Sequence, residues 1–292
     1  MSESVSESLG SSSRLVRWLG IPLAAILLTL FFVYLGFPYD RLTRYALRGV
    51  DQNQGLQVLV GSASPSVAWL GPGIALRDVV IVPSNNPRIH LDRVELRPAW
   101  SFSWFRAVPA VHASIEAPSG DIDATVQLEN PLRLTGTFTL VDARELPLPE
   151  RTPEIPLRGE VKIEFDVSGS LDNSGGPWEG TLKLTSEGGS VAFSGFPVAI
   201  PYDELESLVR LGGDQLLAIE VGRMDGPLVS ATLSGSIRGE RLDPAGVLDL
   251  ELITQSNDES VHKAMRDLGF DVDGGGQANL RLEGTLAKPL LR

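Results

Sequence analysis

Beyond Val50 the chain alternates between apolar and polar residues with a period of two. In "DIDATVQLE", Ile122, Ala124, Val126 and Leu128 alternate with Asp121, Asp123, Thr125, Gln127 and Glu129. "VSATLSGSIR" sets Val229, Ala231, Leu233 and Ile237 against Ser230, Thr232, Ser234, Ser236 and Arg238. "QANLRLEGTL" repeats the pattern with Ala278, Leu280, Leu282 and Leu286. Successive side chains of a strand point to opposite faces, so each segment has one apolar and one wet face. That alternation predicts a mainly β body whose sheet is mostly antiparallel, since parallel strands read as continuous apolar runs.

A short signature, apolar–x–Gly–Ser/Thr–apolar, recurs inside these segments around Gly136, Gly169, Gly235 and Gly284. Each glycine stands where the alternation calls for an apolar side chain. Strand glycines mark bends or bulges, and four of them predict a sheet that curves over its apolar face, as a half-barrel or groove. The alternative is chance recurrence of a common β pattern. The glycines are irregularly spaced, which excludes a regular solenoid.

Helical signals are few. "PYDELESLVRLGG" puts acids in a first turn and stops at Gly212, and "NDESVHKAMRDLG" spaces Val261, Met265 and Leu268 by four and three before Gly269. Both predict short helices covering an edge or end of the sheet. Four prolines in "ELPLPERTPEIP" predict a linker or edge crossing that could divide the body near residues 145–156.

The N-terminus follows a different pattern. Trp18 to Tyr39 contain no charge. As a helix they would span roughly 33 Å, against a hydrocarbon core of about 30 Å. A signal peptide has a shorter apolar segment and a small-residue cleavage site; bulky Tyr34, Leu35 and Phe37 stand there instead. The stretch reads as a retained transmembrane helix over residues 18–39, with Trp18 and Tyr39 at its interfaces. Residues 1–17, rich in Ser and Glu, read as a disordered cytoplasmic tail. Arg41, Arg44 and Arg48 share one face of a juxtamembrane basic helix over residues 40–50, where they either meet lipid phosphates or are ordinary solvated charges. Arginines on both sides of the apolar run leave its orientation undecided by charge.

Composition narrows the rest. The net charge is −12, and residues 51–292 alone carry −14. Such a body repels nucleic acid, and no nucleic-acid partner is expected. There is no cysteine, so no disulfide or Cys-ligated metal forms. His90, His112 and His262 have no partner at metal-motif spacing, and there is no nucleophile elbow or phosphate-binding loop. "DVDGGGQANLRLE" begins like a calcium loop but has Leu282 where the bidentate acid is needed, so it reads as a turn before a strand. The sequence predicts no catalytic residue, no cofactor and no metal.

"GFPYDRL" directly after the anchor, followed by "LRDVVIV" and "LDRVELRPAWSFSW", resembles the long form of the type II secretion system protein N (GspN) family. The strand signatures ending in "LEGTLAKPL" also resemble AsmA-like envelope proteins. The resemblance implies an inner-membrane, single-pass protein with its β domain (residues 51–292) in the periplasm, acting without catalysis beside other secretion components. The alternative is an AsmA-like protein that binds or transfers phospholipid along an apolar β groove. Nothing in the pattern says whether that face is open or sealed.

Overall fold

The computed structural model describes residues 23–34, 36–41, 43, 56–68, 71–83, 88–99, 108–141, 157–170, 178–191, 199–213, 216–239, 246–256, 258–267, 271–285 and 288–291. The body is one open, antiparallel sheet of 15 strands. Strands β1 (Leu56–Ala68), β2 (Gly71–Pro83), β3 (Ile89–Pro98), β4 (Ala110–Ala117), β5 (Gly120–Gln127) and β6 (Leu132–Leu140) lie side by side in chain order. The two-residue β7 (Leu157–Arg158) pairs with β9 (Glu179–Val191), off the main path. The path itself runs from β6 to β8 (Val161–Gly169), then to β9 and β10 (Ile200–Leu211). It continues through β11 (Leu217–Asp225), β12 (Val229–Arg238) and β13 (Val247–Ser256) to β14 (Gln277–Thr285) and β15 (Lys288–Leu291).

The three alternating segments all form strands in the expected phase. The proline-rich stretch up to Pro156 lies outside the described residues, but Leu140 pairs with Val161 across it and the sheet is continuous there.

One expected helix is a strand. "PYDELESLVRLGG" falls within and just after β10, paired on one side with β9 and on the other with β11. Both neighbours offer free ladder groups and an apolar face, and such tertiary pairing overrides a weak helical propensity. The other expected helix forms over Glu259–Asp267; Leu268 and Gly269 are outside the described residues. Asp258 caps it, its Oδ1 accepting from the amide of Ser260 at 2.8 Å and of Val261 at 3.4 Å, which satisfies donors a helix start leaves free.

Of the expected anchor, residues 23–34 are helical with exposed apolar side chains, and residues 39–41 make a further helical turn. Among the described residues no helix is long and apolar enough to cross a membrane. Residues 1–17, Trp18, Arg44 and Arg48 lie outside the described part.

The sheet's alternation changes phase at two left-handed residues. Leu76 and Val79 are apolar positions three apart, on either side of Asp78, which has φ 53°. Tyr202 and Leu205, also three apart, pair with a stretch of β9 containing Gly188 at φ 74°. Tyr202 and Leu205 nevertheless pack into one core cluster, and the register of β10 on β9 runs unbroken past Gly188.

Candidate functional site

The register sorts the apolar residues into rows that cross the strands. One row runs Leu96, Ala113, Ala124, Gly136, Phe165 and Leu182. It continues through Val209, Ile219, Gly235, Leu250 and Leu282. A row beside it runs Val94, Ile115, Ile122, Phe138, Ile163 and Leu184, and another runs Pro98, Val111, Val126, Leu134 and Val167. From β3 to β14 one face is therefore apolar over roughly 50 Å, at about 4.8 Å per strand step.

Most of these side chains are half-buried rather than buried: Ile122, Phe138, Phe165, Leu182, Leu184, Val209, Leu250 and Leu282 all keep part of their surface open. An amphipathic sheet ordinarily hides its apolar face under a second layer. Here the principal contacts between described elements join neighbouring strands, with the C-terminal helix on β13 as the addition.

The opposite face is charged. Arg133 grips Asp166 with two bonds of 2.9 and 2.7 Å and holds its carboxyl below the usual range. Lys183 meets Glu206 at 2.9 Å, and Arg281 lies 3.1 Å from both Asp249 and Glu283. Pairs this exposed contribute little stability each. They keep this face wet and orient the sheet.

The apolar face is sealed at one end. Leu140, Val161 and Tyr202 are almost fully buried there. Tyr202 packs with Val191, Ile200, Met224 and Val229, and its hydroxyl lies 2.8 Å from Ser186 Oγ, which donates to the Glu160 carbonyl at 2.5 Å. Leu157 on β7 touches both buried clusters. The C-terminal helix adds Val261 to this plug and buries Met265. His262 Nε2 reaches the Ser256 carbonyl at 2.7 Å, so that nitrogen carries the proton.

At the other end, on the side of the N-terminal helix, the described residues leave a cleft. Tyr34, at that helix's end, inserts its hydroxyl into the β1–β2 ladder, 2.7 Å from the Ser66 carbonyl and 2.5 Å from the Gly73 carbonyl, and accepts from the Gly73 amide at 3.0 Å. Tyr39 donates to the Tyr34 carbonyl at 2.7 Å, and its ring packs edge-on against Tyr34 and Phe37. Asp40 Oδ1 accepts from the Ala63 amide at 2.7 Å, covering part of the β1 edge. Between this aromatic corner and the sheet is a cleft of about 590 Å³ with almost wholly apolar walls, including Ile74, Leu96, Val111 and Leu128.

The expected site residues fall as follows. Tyr39 is buried in the aromatic corner and Arg41 is exposed. Gly136, Gly169, Gly235 and Gly284 all lie on the apolar face; Gly235 and Gly284 have φ of 131° and 103°, and a Cβ on Gly169 would meet the Trp178 ring at 2.5 Å. The sequence reading missed Tyr34 as a docking residue and Tyr202 as the core of the plug. Among the described residues no cluster of His, Asp or Glu could hold a metal ion. Compared with protein-family models, curated proteins and solved structures, the chain matches none.

Proposed function

We propose that this chain is a non-catalytic envelope protein that binds the acyl chains of phospholipids in an apolar β groove. The sheet bows over its apolar rows, with the glycines at 136, 169, 235 and 284 giving it room to curve. The charge-free stretch 18–39 anchors it in the bacterial inner membrane, with the body in the periplasm. The observation that carries this reading is the apolar face from β3 to β14, whose side chains stay partly exposed among the described residues, with a plug at one end. A contiguous apolar face left partly exposed marks an interaction surface, and hydrocarbon is a partner that fits rows without polar groups.

The test is lipid retention. Phe165→Asp with Leu184→Asp puts two carboxylates on the groove floor, while Thr135→Asp puts one on the wet face. A charge in an apolar site costs several kcal/mol, so the groove variant should retain at least about tenfold less phospholipid through purification, by mass spectrometry. The wet-face variant should match the unaltered protein. Equal lipid in all three would remove the groove as the binding site.

A second reading is a docking component of the type II secretion assembly. It draws support from the 13-residue edge strand β1 and from Leu59, which is half exposed there. Such an edge can accept a partner's strand. Crosslinking the intact protein in its membrane tests it; a set of neighbours lacking any secretion component would count against it.

A further inference from the structure

We propose that the cleft between the Tyr34–Phe37–Tyr39 corner and the ends of β2 to β5 is the portal through which an acyl chain of a bilayer phospholipid passes into the groove. This rests on the groove reading above and adds where the lipid comes in and what part of it is recognised.

Three observations converge on the cleft. Its walls are apolar, and Phe37, Leu96 and Leu128 remain more than a third exposed within it. It adjoins the groove: Leu96, Pro98 and Val111, all in its lining, are the first members of two of the rows that cross the sheet. Its outer wall is the segment that ends the charge-free helix, whose leucines and phenylalanines face outward. Tyr34 holds that helix end to the ladder at Ser66 and Gly73, and Asp40 holds the following turn to Ala63. Hydrocarbon surrounding the helix is thereby brought to the mouth of the cleft.

The lining also indicates what is read. Among the described residues of its lining Arg97 alone is charged, so these walls offer contacts for chains and few for head groups. The portal takes diacyl lipids with little regard to head group.

The test uses the full chain in vesicles of phosphatidylethanolamine and phosphatidylglycerol doped with a phospholipid bearing a diazirine on one acyl chain. After irradiation, adducts are mapped by peptide mass spectrometry. The unaltered protein should carry adducts at the cleft (Phe37, Leu96, Leu128) and in the groove (Phe138, Phe165, Leu184). Leu96→Asp with Leu128→Asp should cut groove adducts about tenfold. Both positions are exposed, so the fold should survive; Leu128→Asp alone, just beyond β5, serves if the pair lowers the melting temperature. Phe165→Asp should lose groove adducts and keep those at the cleft. Exchanging the probe's head group for choline should change labelling by no more than about fivefold.

Groove labelling that persists in the Leu96/Leu128 variant, or a groove labelled without the cleft, overturns the portal and leaves the groove reading standing. Labelling at neither place overturns both. A cleft that excludes the probe because another segment of this chain covers it, seen as a Leu128→Cys thiol blocked to maleimide, also overturns the portal.

Discussion

Gly136 shows how closely the strands approach on the apolar face. A Cβ there would stand 2.2 Å from the Asp123 carbonyl and 2.9 Å from the Phe165 ring. Backbone cannot yield as a flexible side chain can, so Gly136→Ala should destabilise by about 2 kcal/mol in chemical denaturation, the typical cost of overpacking. Gly188 is the contrasting case. Nothing lies within 4 Å of its added Cβ, but its φ is 74°. Gly188→Ala should cost about 1 kcal/mol from backbone strain alone, and Gly188→Asn less, because asparagine tolerates that region. The signature that picks out Gly136 in the sequence does not pick out Gly188, since a left-handed residue at a phase change has no fixed neighbours. Tyr202 was hidden for a related reason: flanked by Pro201 and acids, it reads as a helix start, and the hydroxyl partner that makes it a core residue is Ser186 on another strand.

Among the elements, β10 and the C-terminal helix separate what local pattern can and cannot tell. The helix was legible because its apolar spacing and the glycine that ends it lie within one short segment. β10 was not, because its apolar positions depart from a period of two, with a left-handed Gly188 on the neighbouring β9 and a shift in the β11 register between Leu208 and Val209. Those departures leave a three-and-four spacing that mimics a helix. The cap of the C-terminal helix also sets a pH dependence. Bonds from the Ser260 hydroxyl and amide hold the Asp258 carboxyl below its usual range. Its contribution is therefore complete above the ordinary aspartate value of about 4 and is lost as pH falls through the lowered folded value. Hydrogen exchange of the amides over residues 259–267 should accelerate at that acid limit more than exchange in β4 to β6. Asp258→Asn should remove the acid-dependent part, and Asp258→Ala should speed exchange at neutral pH.

The described part of the molecule is chiefly a sheet, in which the principal contacts of each strand are with the strands paired beside it. Alternation predicted an amphipathic antiparallel sheet. It could not say whether the apolar side was covered, because half of a closed sandwich has the same period of two as a single open layer. The described residues form a single layer with its apolar side chains partly exposed, and the consequence for stability is measurable. A ligand that binds the folded state alone adds RT ln(1 + [L]/Kd), about 2.7 kcal/mol at a hundredfold excess over Kd. If hydrocarbon occupies the groove, stripping lipid with detergent exchange should lower the melting temperature, and returning phospholipid should restore it in proportion to the logarithm of its concentration. The stripped protein should bind a hydrophobic dye strongly, and returned lipid should displace that dye. Phe165→Asp with Leu184→Asp should abolish the lipid-dependent rise while changing the stripped protein far less, since both side chains are only half-buried before lipid arrives. A sealed core would behave in the opposite way: the same carboxylates would unfold the protein whether or not lipid was present, and added lipid would leave the melting temperature unchanged.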